Sequence, residues 1–445
     1  MNLTDKILKD EIIYSCLDIL KEEGAYLVGG YIRDFFFGID SLDRDLVVVG
    51  NRAEILADKI IQKVGGTKIL LDEELNTYRV VLPDKENFFD ITQTISFSED
   101  ARRRDFKINS IYYNFVTSEI YDPLNGLLDV SNKKLTTFTL ENLIDDPLRI
   151  LRAFRFASCY DLQIENDILE FASKNSRLLK KPSPERIKVE LIKMFSGGNL
   201  VNVLKLAVNH GVMDIIFPIV TRIKQIPPNS HHHLPLIEHL IETVKNLNSD
   251  CPYLRLAAFL HDAGKPDTWK IEENGRHRFI GHDTLGADII KKDLQRLKFS
   301  NQETGHIVSC IKYHIYPSAL MQDEMVTNSA MLRFYNKTTP YCYDIIELAR
   351  ADRLSAKGPA ITEESIAKNH NALSELENFC KSIDEKAKLA PPYLNGEDIM
   401  SIFSIPQGKI VGKLLNAVRE KQLLGELTSK DEAIRFAKEI YSEIS

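Results

Sequence analysis

LVGGYIRDFFFGIDSLDRDLVVVG, residues 27–50, decides the reading of the chain. A short apolar run ends in two glycines and an Arg-Asp follows. Asp43 and Asp45 then stand one residue apart at the mouth of a second apolar run. Strand geometry has a period of two, so it puts Asp43 and Asp45 on one face. Carboxylates that close repel unless a cation lies between them, which points to a divalent metal site. Hard oxygen donors favour Mg2+, an ion that also binds substrate phosphates. Gly29 and Gly30 let backbone N–H groups approach an anion. Arg33, followed by Asp34, falls near the start of a predicted helix, where a guanidinium can grip phosphate through two N–H groups. A Gly-Gly pair is ordinarily just a turn, and Asp-x-Asp arises often by chance. Strand, Gly-Gly, Arg-Asp, helix, Asp-x-Asp and strand within 24 residues is a far more specific combination.

The rest of the chain sets the frame. Its 445 residues, 44% hydrophobic and 27% charged, are enough for several ordinary globular domains. No run approaches the roughly 18 apolar residues of a membrane helix. The charged start, MNLTDKILKDEIIYS, lacks the apolar core of a signal peptide. The 6 cysteines (16, 159, 251, 310, 342, 380) are scattered and form no Cys-x-x-Cys pair. That pattern suits free thiols in a cytoplasmic protein. A net charge of −7 gives no bulk hint of a nucleic-acid partner. Residues 174–193 are locally basic (Lys174, Arg177, Lys180, Lys181, Arg186, Lys188, Lys193) and read either as a solvated helix face or as a phosphate-contacting stripe.

AYLVGG, DLVVVG, YRVVLP and FFDITQTISF read as strands within a mixed α/β segment, residues 1–135. Beyond about residue 140 the apolar spacing is helical. The expected fold class is therefore α+β, a small N-terminal sheet followed by an all-α remainder. Nine of the 11 histidines lie between His231 and His314, which marks a separate functional unit.

Further motifs follow in order: DARRRDFKINSIYYN (100–114), YDPLNGLLDV (121–130), DDPLRILRAFRFA (145–157) and SPERIKVEL (183–191). With the opening stretch they resemble the class II tRNA nucleotidyltransferase and bacterial poly(A) polymerase family, whose head is polymerase-β-like. Lys107, Ser110 and Asp145 depart from the family's usual Thr, Ala and Glu. The resemblance implies a nucleotidyltransferase head (1–135), a neck and body for base selection and tRNA binding (136–225), a metal domain (226–365) and a helical tail (366–445). It implies Mg2+ on the catalytic Asp43 and Asp45, activating an RNA 3′-hydroxyl and stabilising pyrophosphate. Gly29, Gly30, Arg33 and Asp34 then hold the triphosphate. Arg103 or Arg104, with Asp105 and Asn109, position ribose and phosphates. Asp90 is either a third carboxylate or an ordinary strand-edge Asp.

Asp146 and Arg149 are spaced i, i+3 and are expected to share a helix face. A carboxylate accepts from an exocyclic amino group and an arginine donates to ring acceptors, which matches C and A and mismatches U and G. In the family this pair serves as a protein template. Arg152 and Arg155 continue the face, toward phosphates or into surface salt bridges. The implied partners are the tRNA 3′ end and CTP, with ATP as a second candidate, and neither membrane nor DNA.

HHHLPLIEHL, FLHDAGKP, FIGHDTLGA, IKYHIYP and ARADRLS resemble the HD phosphohydrolase superfamily. On that match His239, His261, Asp262 and Asp352 bind one divalent ion. His282 and His314 serve a second ion or a substrate phosphate, and Lys265 meets phosphate. Softness does not choose among Mn2+, Ni2+ and Mg2+. His231, His232, His233, His277 and His306 fall outside the ligand pattern. Such domains in some relatives hydrolyse 2′,3′-cyclic phosphates or 2′-phosphates. NGEDIM and PQGKIVGKLL resemble the tail of the same branch, where Gly408 and Lys409 either pack or touch RNA backbone.

One interval departs from many full CCA-adding enzymes. Only 12 residues separate Asp90 from Arg103, too few for the mobile loop that helps the pocket switch from C to A. The expected activity is therefore addition of CC. Full CCA addition, and A addition or poly(A) synthesis, are the alternatives. The reading from another class is an HD phosphohydrolase whose N-terminal half only binds nucleotide.

Overall fold

The computed structural model describes residues 2–228, 234–273, 275, 277–322, 326–358 and 361–444. His231, His232 and His233 lie outside the described residues. The chain divides into two compact units, Met1–Pro218 and Ile219–Ser445.

The first unit is built on a seven-stranded sheet of β1 (Tyr26–Val28), β2 (Arg44–Val49), β3 (Thr67–Asp72), β4 (Thr77–Val81), β5 (Phe88–Thr94), β6 (Tyr112–Asn114) and β7 (Ile120–Tyr121). Their order across the sheet is β3-β4-β5-β2-β1-β6-β7. Only the β2–β5 pair is parallel, and its register sets Asp45 opposite Asp90. On the other side of β2, Asp45 faces Val28. Leu46 and Val48 enter one core with Leu27 and Ile91, while Val47 enters the other with Val28 and Tyr112. Alternation thus buries both faces of the central strands.

Among the helices that flank the sheet are α1 (Gly30–Phe36), α2 (Ala53–Val64) and α3 (Phe97–Arg103). α2 is the crossover that follows β2. Its buried Ala53, Leu56, Ala57 and Ile60 recur every three or four residues and cover the sheet. β3 escapes a reading by pattern because its residues are almost all exposed. With no buried face, it shows no alternation.

Beyond the sheet lie α4 (Glu141–Asp145), α5 (Leu148–Tyr160) and α6 (Pro184–Ser196). Ser183 caps α6 by accepting from the Arg186 N–H, and Pro184 occupies the first turn, where no N–H is needed. α5 and α6 pack together through residues such as Phe154, Ala157, Leu191 and Met194, all buried.

The second unit is helical. Five of its helices carry the site described below: α7 (Leu236–Asn246), α8 (Pro252–Leu260), α9 (His282–Arg296), α10 (Asn301–Tyr313) and α11 (Cys342–Ser355). The helices Gly396–Phe403, Lys409–Leu423 and Lys430–Ile444 close the chain around a core of their own that includes Ile399, Leu414 and Ala433.

Candidate active site and metal centre

The first site begins where β1 ends. The chain turns through Gly29 at φ +78°, a conformation that favours glycine, and enters α1. A Cβ on Gly29 would lie 2.9 Å from Asp45 Oδ2, and one on Gly30 would lie 2.1 Å from Asp43 Oδ2. The two glycines therefore seat the two carboxylates. Arg44, between them in sequence, points the other way. Its Nε and Nη2 donate to Asp10 at 2.9 and 3.1 Å, and its Nη1 donates to Asn87 at 3.0 Å. Gly30→Ala forces Asp43 aside without a backbone penalty, since the residue is helical. It should slow nucleotide incorporation about 100-fold in single-turnover assays, with the melting temperature near that of the unchanged chain.

The electrostatics follow from this crowding. Burial pushes the Asp45 carboxyl up to about 7 and the charge of Asp43 adds to it, while Arg104 works in the opposite direction. Asp43 is raised as well, by the protein packed around its carboxyl and by Asp90 and Asp34, against the pull of Arg33. Such a pair suits a divalent cation. Hard oxygen donors that repel each other at neutral pH fit a magnesium-like ion. Asp90 reaches the same locality, but Arg79 clasps it with two N–H groups, Nε and Nη2 each at 2.7 Å. The third carboxylate therefore comes with its charge already balanced.

The predicted arginines are tied into the fold. Arg33 is buried; its Nε and Nη2 donate to Asp34 at 2.9 and 2.7 Å, its Nη1 to Asn109 at 2.7 Å and its Nη2 to Tyr160 at 2.9 Å. Its guanidinium lies 4.9 Å from the ring centres of both Phe156 and Tyr160. Asp105 accepts from Arg152 Nε and Nη2 at 2.8 and 2.6 Å, from Asn109 at 2.7 Å and from the Phe106 N–H at 2.8 Å. Burial alone would raise its pKa. Arg152 and Asn109 overcome that and hold it well below the usual carboxylate range. Glu190 joins Arg152 at 3.3 Å to Arg155 at 2.9 Å. Arg152 and Arg155 thus form internal ion pairs, and Arg155 is almost fully buried.

Arg103 and Arg104 both donate to the buried Asp100, Arg104 through Nε at 2.7 Å, and Tyr112 adds its hydroxyl at 2.6 Å. The other end of Arg104 turns to the cradle, with Nη1 3.6 Å from where a Gly29 Cβ would sit. Asp100 was not anticipated, although its spacing of three and four from Arg103 and Arg104 is a helical ion-pair signal. Nor were Tyr160 and Glu190, which meet partners 127 and 38 residues away; nothing local marks them.

The shared helix face expected for Asp146 and Arg149 needs correction. α4 ends at Asp145, and Asp146 caps it in an extended conformation, φ −127° and ψ 95°. The cause is Pro147, whose ring disfavours helical geometry in the residue before it. Asp146 instead starts α5, its carbonyl accepting from the Arg149 N–H at 3.0 Å. Arg149 Nη1 donates to the Asn142 carbonyl at 3.0 Å. Arg186 Nη2 donates to Asp146 Oδ2 at 2.7 Å from the basic stretch, with both side chains reaching solvent.

In the second unit, His239, His261, Asp262, His282, His314 and Asp352 come together. His239 Nε2 lies 3.0 Å from Asp352 Oδ1, His261 Nε2 3.3 Å from Asp262 Oδ2, and His282 Nε2 3.2 Å from Asp262 Oδ1. Three of the histidines are locked in one way. Nδ1 of His261, His282 and His314 donates to the carbonyl three residues earlier, at 2.8, 2.7 and 2.6 Å. A carbonyl only accepts, so Nδ1 carries the hydrogen and Nε2 offers its lone pair inward. His282 Nε2 and His314 Nε2 face each other at 3.3 Å. Two opposed lone pairs with carboxylates on either side are a donor set for a divalent cation.

With no cation between them the carboxylates favour a proton on His261 instead: burial opposes its charge, yet Asp262 and Asp352 lift it to about 10, and a bound ion would displace that proton from Nε2. Burial, with His261 and His282, drops His314 to about 3. Lys265, expected to face phosphate, lies 2.6 Å from Asp262 Oδ2.

Known proteins resemble this chain in sequence and fold. Residues 25–136 match the poly A polymerase head domain. Residues 161–224 match the RNA- and SrmB-binding segment of polymerase A, and 283–437 match tRNA nucleotidyltransferase domain 2. The chain is 29% identical over 423 residues to the A-adding tRNA nucleotidyltransferase of Deinococcus radiodurans, covering 93% of this chain and 94% of that one. It is 27% identical over 422 residues to the CC-adding tRNA nucleotidyltransferase of Thermus thermophilus, covering 93% and 92%. Over 311 residues it is 30% identical to the multifunctional CCA protein of Acinetobacter baumannii, covering 65% of this chain and 74% of that protein. The fold matches that of the Thermotoga maritima CCA-adding enzyme complexed with tRNA at a TM-score of 0.64 and 20% identity, covering 99% of each chain.

Proposed function

Because this chain belongs to the tRNA nucleotidyltransferase family, we propose that it adds C residues to the 3′ end of tRNA from CTP. The family is metal-dependent. The observation that carries the reading is the seating of Asp43 and Asp45 on the Gly29–Gly30 turn, with Asp45 pushed up to about 7. In the reaction the RNA 3′-hydroxyl oxygen attacks the α-phosphorus, the bond to the bridging oxygen breaks, and pyrophosphate leaves. Asp43 and Asp45 would hold Mg2+. When bound, the ion would lower the pKa of the hydroxyl, so that its proton passes to solvent, and would neutralise the leaving pyrophosphate. The glycine turn leaves room for the phosphates. Arg104, held at Nε by Asp100, presents its outer N–H groups to them. Asp146 and Arg149 read the base. Arg33, Asp34, Asp105, Asn109, Arg152 and Arg155 keep these groups in place from within the fold. The four segments 1–135, 136–225, 226–365 and 366–445 stand as the proposed head, neck and body, metal domain and tail.

The choice of C rests on the interval after Asp90. β5 runs to Thr94 and α3 starts at Phe97, so Ile95 and Ser96 alone connect them. A connection of two residues has no slack for a lever that would re-form the pocket between C and A. A second reading, A addition, is favoured by the Deinococcus relative, which is aligned over 94% of its length. Three transcripts, ending at the discriminator base, at C and at CC, separate these readings. With CTP the first two should lengthen; with ATP the third should not. Gain of A by the third transcript overturns the C-only reading, and failure of all three overturns addition to tRNA altogether.

The inward Nε2 atoms of the second site support a further activity, divalent-metal phosphohydrolysis of a 2′,3′-cyclic phosphate or 2′-phosphate. His239, His261, Asp262 and Asp352 would hold an ion that would supply Lewis acidity for attack by water, and His282 and His314 would face the phosphate, with Lys265 beside them on Asp262.

A further inference from the structure

We propose that Cys251, His306 and Asp344 form a further metal centre, separate from both sites described above and suited to a zinc-like divalent ion. A donor atom of each lies within 4.8 Å of the other two. His306 Nε2 contacts Asp344 Oδ2 at 2.5 Å. The imidazole is held in plane by Tyr341, stacked at 4.5 Å and 5°, and by Tyr253 at 5.8 Å. Cys251 is fixed at the start of α8, where its N–H donates to Ser249 at 3.2 Å. All three residues are only half-buried, so an ion can enter from solvent.

The placement repeats a pattern. His261, His314 and Asp352 form one ligand triad of the histidine cluster, from the ends of α8 and α10 and from α11. Cys251, His306 and Asp344 come from the same three helices, in the same order. The spacings are ten, eight and eight residues, or about 15, 12 and 12 Å of helical rise. The three helices pack against one another, so whatever aligns one triad aligns the other. The ligand types differ. A thiolate replaces one imidazole, and thiolate with imidazole and carboxylate selects a borderline-soft ion such as Zn2+ or Co2+ over Mg2+.

Proton balance is simple. Binding releases the Cys251 thiol proton, His306 binds through Nε2 in the tautomer that carries its hydrogen on Nδ1, and water takes the fourth position. Metal bonds of about 2 Å in a tetrahedron hold N and O more than 3 Å apart, so the His306–Asp344 contact opens by less than about 1 Å.

Sulfur makes the test specific, because the histidine cluster offers only N and O. The full chain, stripped with chelator, is titrated with Co2+ and watched for the near-ultraviolet thiolate-to-cobalt charge-transfer band. The band should grow to one Co2+ per chain. It should persist in Asp262→Asn and vanish in Cys251→Ser and His306→Ala, with nucleotide addition by the last two unchanged. Absence of the band from the unchanged chain, or its survival in Cys251→Ser, overturns the proposal. Should His306→Ala misfold and lose nucleotide addition, Cys251→Ser alone decides, since it exchanges a single atom.

Discussion

Asp45→Asn should abolish nucleotide addition and yet, in chelator above pH 7, melt at a higher temperature than the unchanged chain. The first half follows from chemistry. Without this ligand the ion that activates the hydroxyl is lost, and several kcal/mol of transition-state stabilisation amounts to about a 1000-fold loss or more. The second half follows from linkage. Asp45 titrates near 7 in the folded protein, driven first by burial and then by Asp43, against about 4 in an unfolded chain. A raised pKa means that the folded state keeps its proton while the unfolded state loses it. Stability from this group is complete below about pH 4 and fades as pH rises to about 7. Removing the charge recovers it, by up to about 4 kcal/mol, so calorimetry at pH 8 should show a gain of several degrees that closes near pH 4. A variant no more stable at pH 8, or one still adding nucleotide, contradicts the metal reading. On the phosphohydrolase activity proposed above, hydrolysis of a cyclic phosphate measured on the same variant should not change, whereas Asp262→Asn should abolish it and spare nucleotide addition.

Asp105→Ala should have the largest structural effect in the first unit, a loss of about 3–5 kcal/mol. It leaves the Arg152 guanidinium partly unpaired in the protein and strands the donors of Asn109 and Phe106. Here the pH dependence runs the other way. Asp105 is held below the usual carboxylate range because Arg152 and Asn109 outweigh its burial. Its contribution is present above about pH 4 and disappears as the solution becomes more acid. Denaturant titration should therefore show the deficit of Asp105→Ala at neutral pH and its narrowing below pH 4. Asp105→Asn, which keeps an acceptor for the Phe106 N–H, should recover part of the loss. A deficit below about 1 kcal/mol would show that this carboxylate does not hold α5 in place.

Much of this was legible in the residues. Gly29, Gly30, Asp43 and Asp45 belong to a local pattern of turn and strand, and turns and alternation are short-range rules. The histidine cluster was legible because its residues are too polar to be buried together for packing. The failures were long-range or contextual. β3 has no buried face to reveal it. Asp100, Tyr160 and Glu190 act through partners that only the tertiary fold delivers. The spacing of Asp146 and Arg149 suggested a continuous helix, and Pro147, present in the sequence, was the signal that broke it. The arginines expected at phosphates were the right residue type, but burial next to Asp34, Asp105 and Glu190 commits them to the fold.

That break at Pro147 has a mechanical consequence. Had Asp146 and Arg149 shared one helix, the distance between carboxylate and guanidinium would be set by helical rise and side-chain rotamers. Here the two are jaws of a caliper. Arg149 is mounted on α5, while Asp146 rides on an extended residue between α4 and α5 that belongs to neither helix. Arg186 rests against the Asp146 jaw from a third element. On the base-reading role proposed above, the gap that measures the incoming base is set at a backbone joint, and a substitution that stiffens residue 146 or shifts Arg186 recalibrates it while leaving the catalytic carboxylates alone.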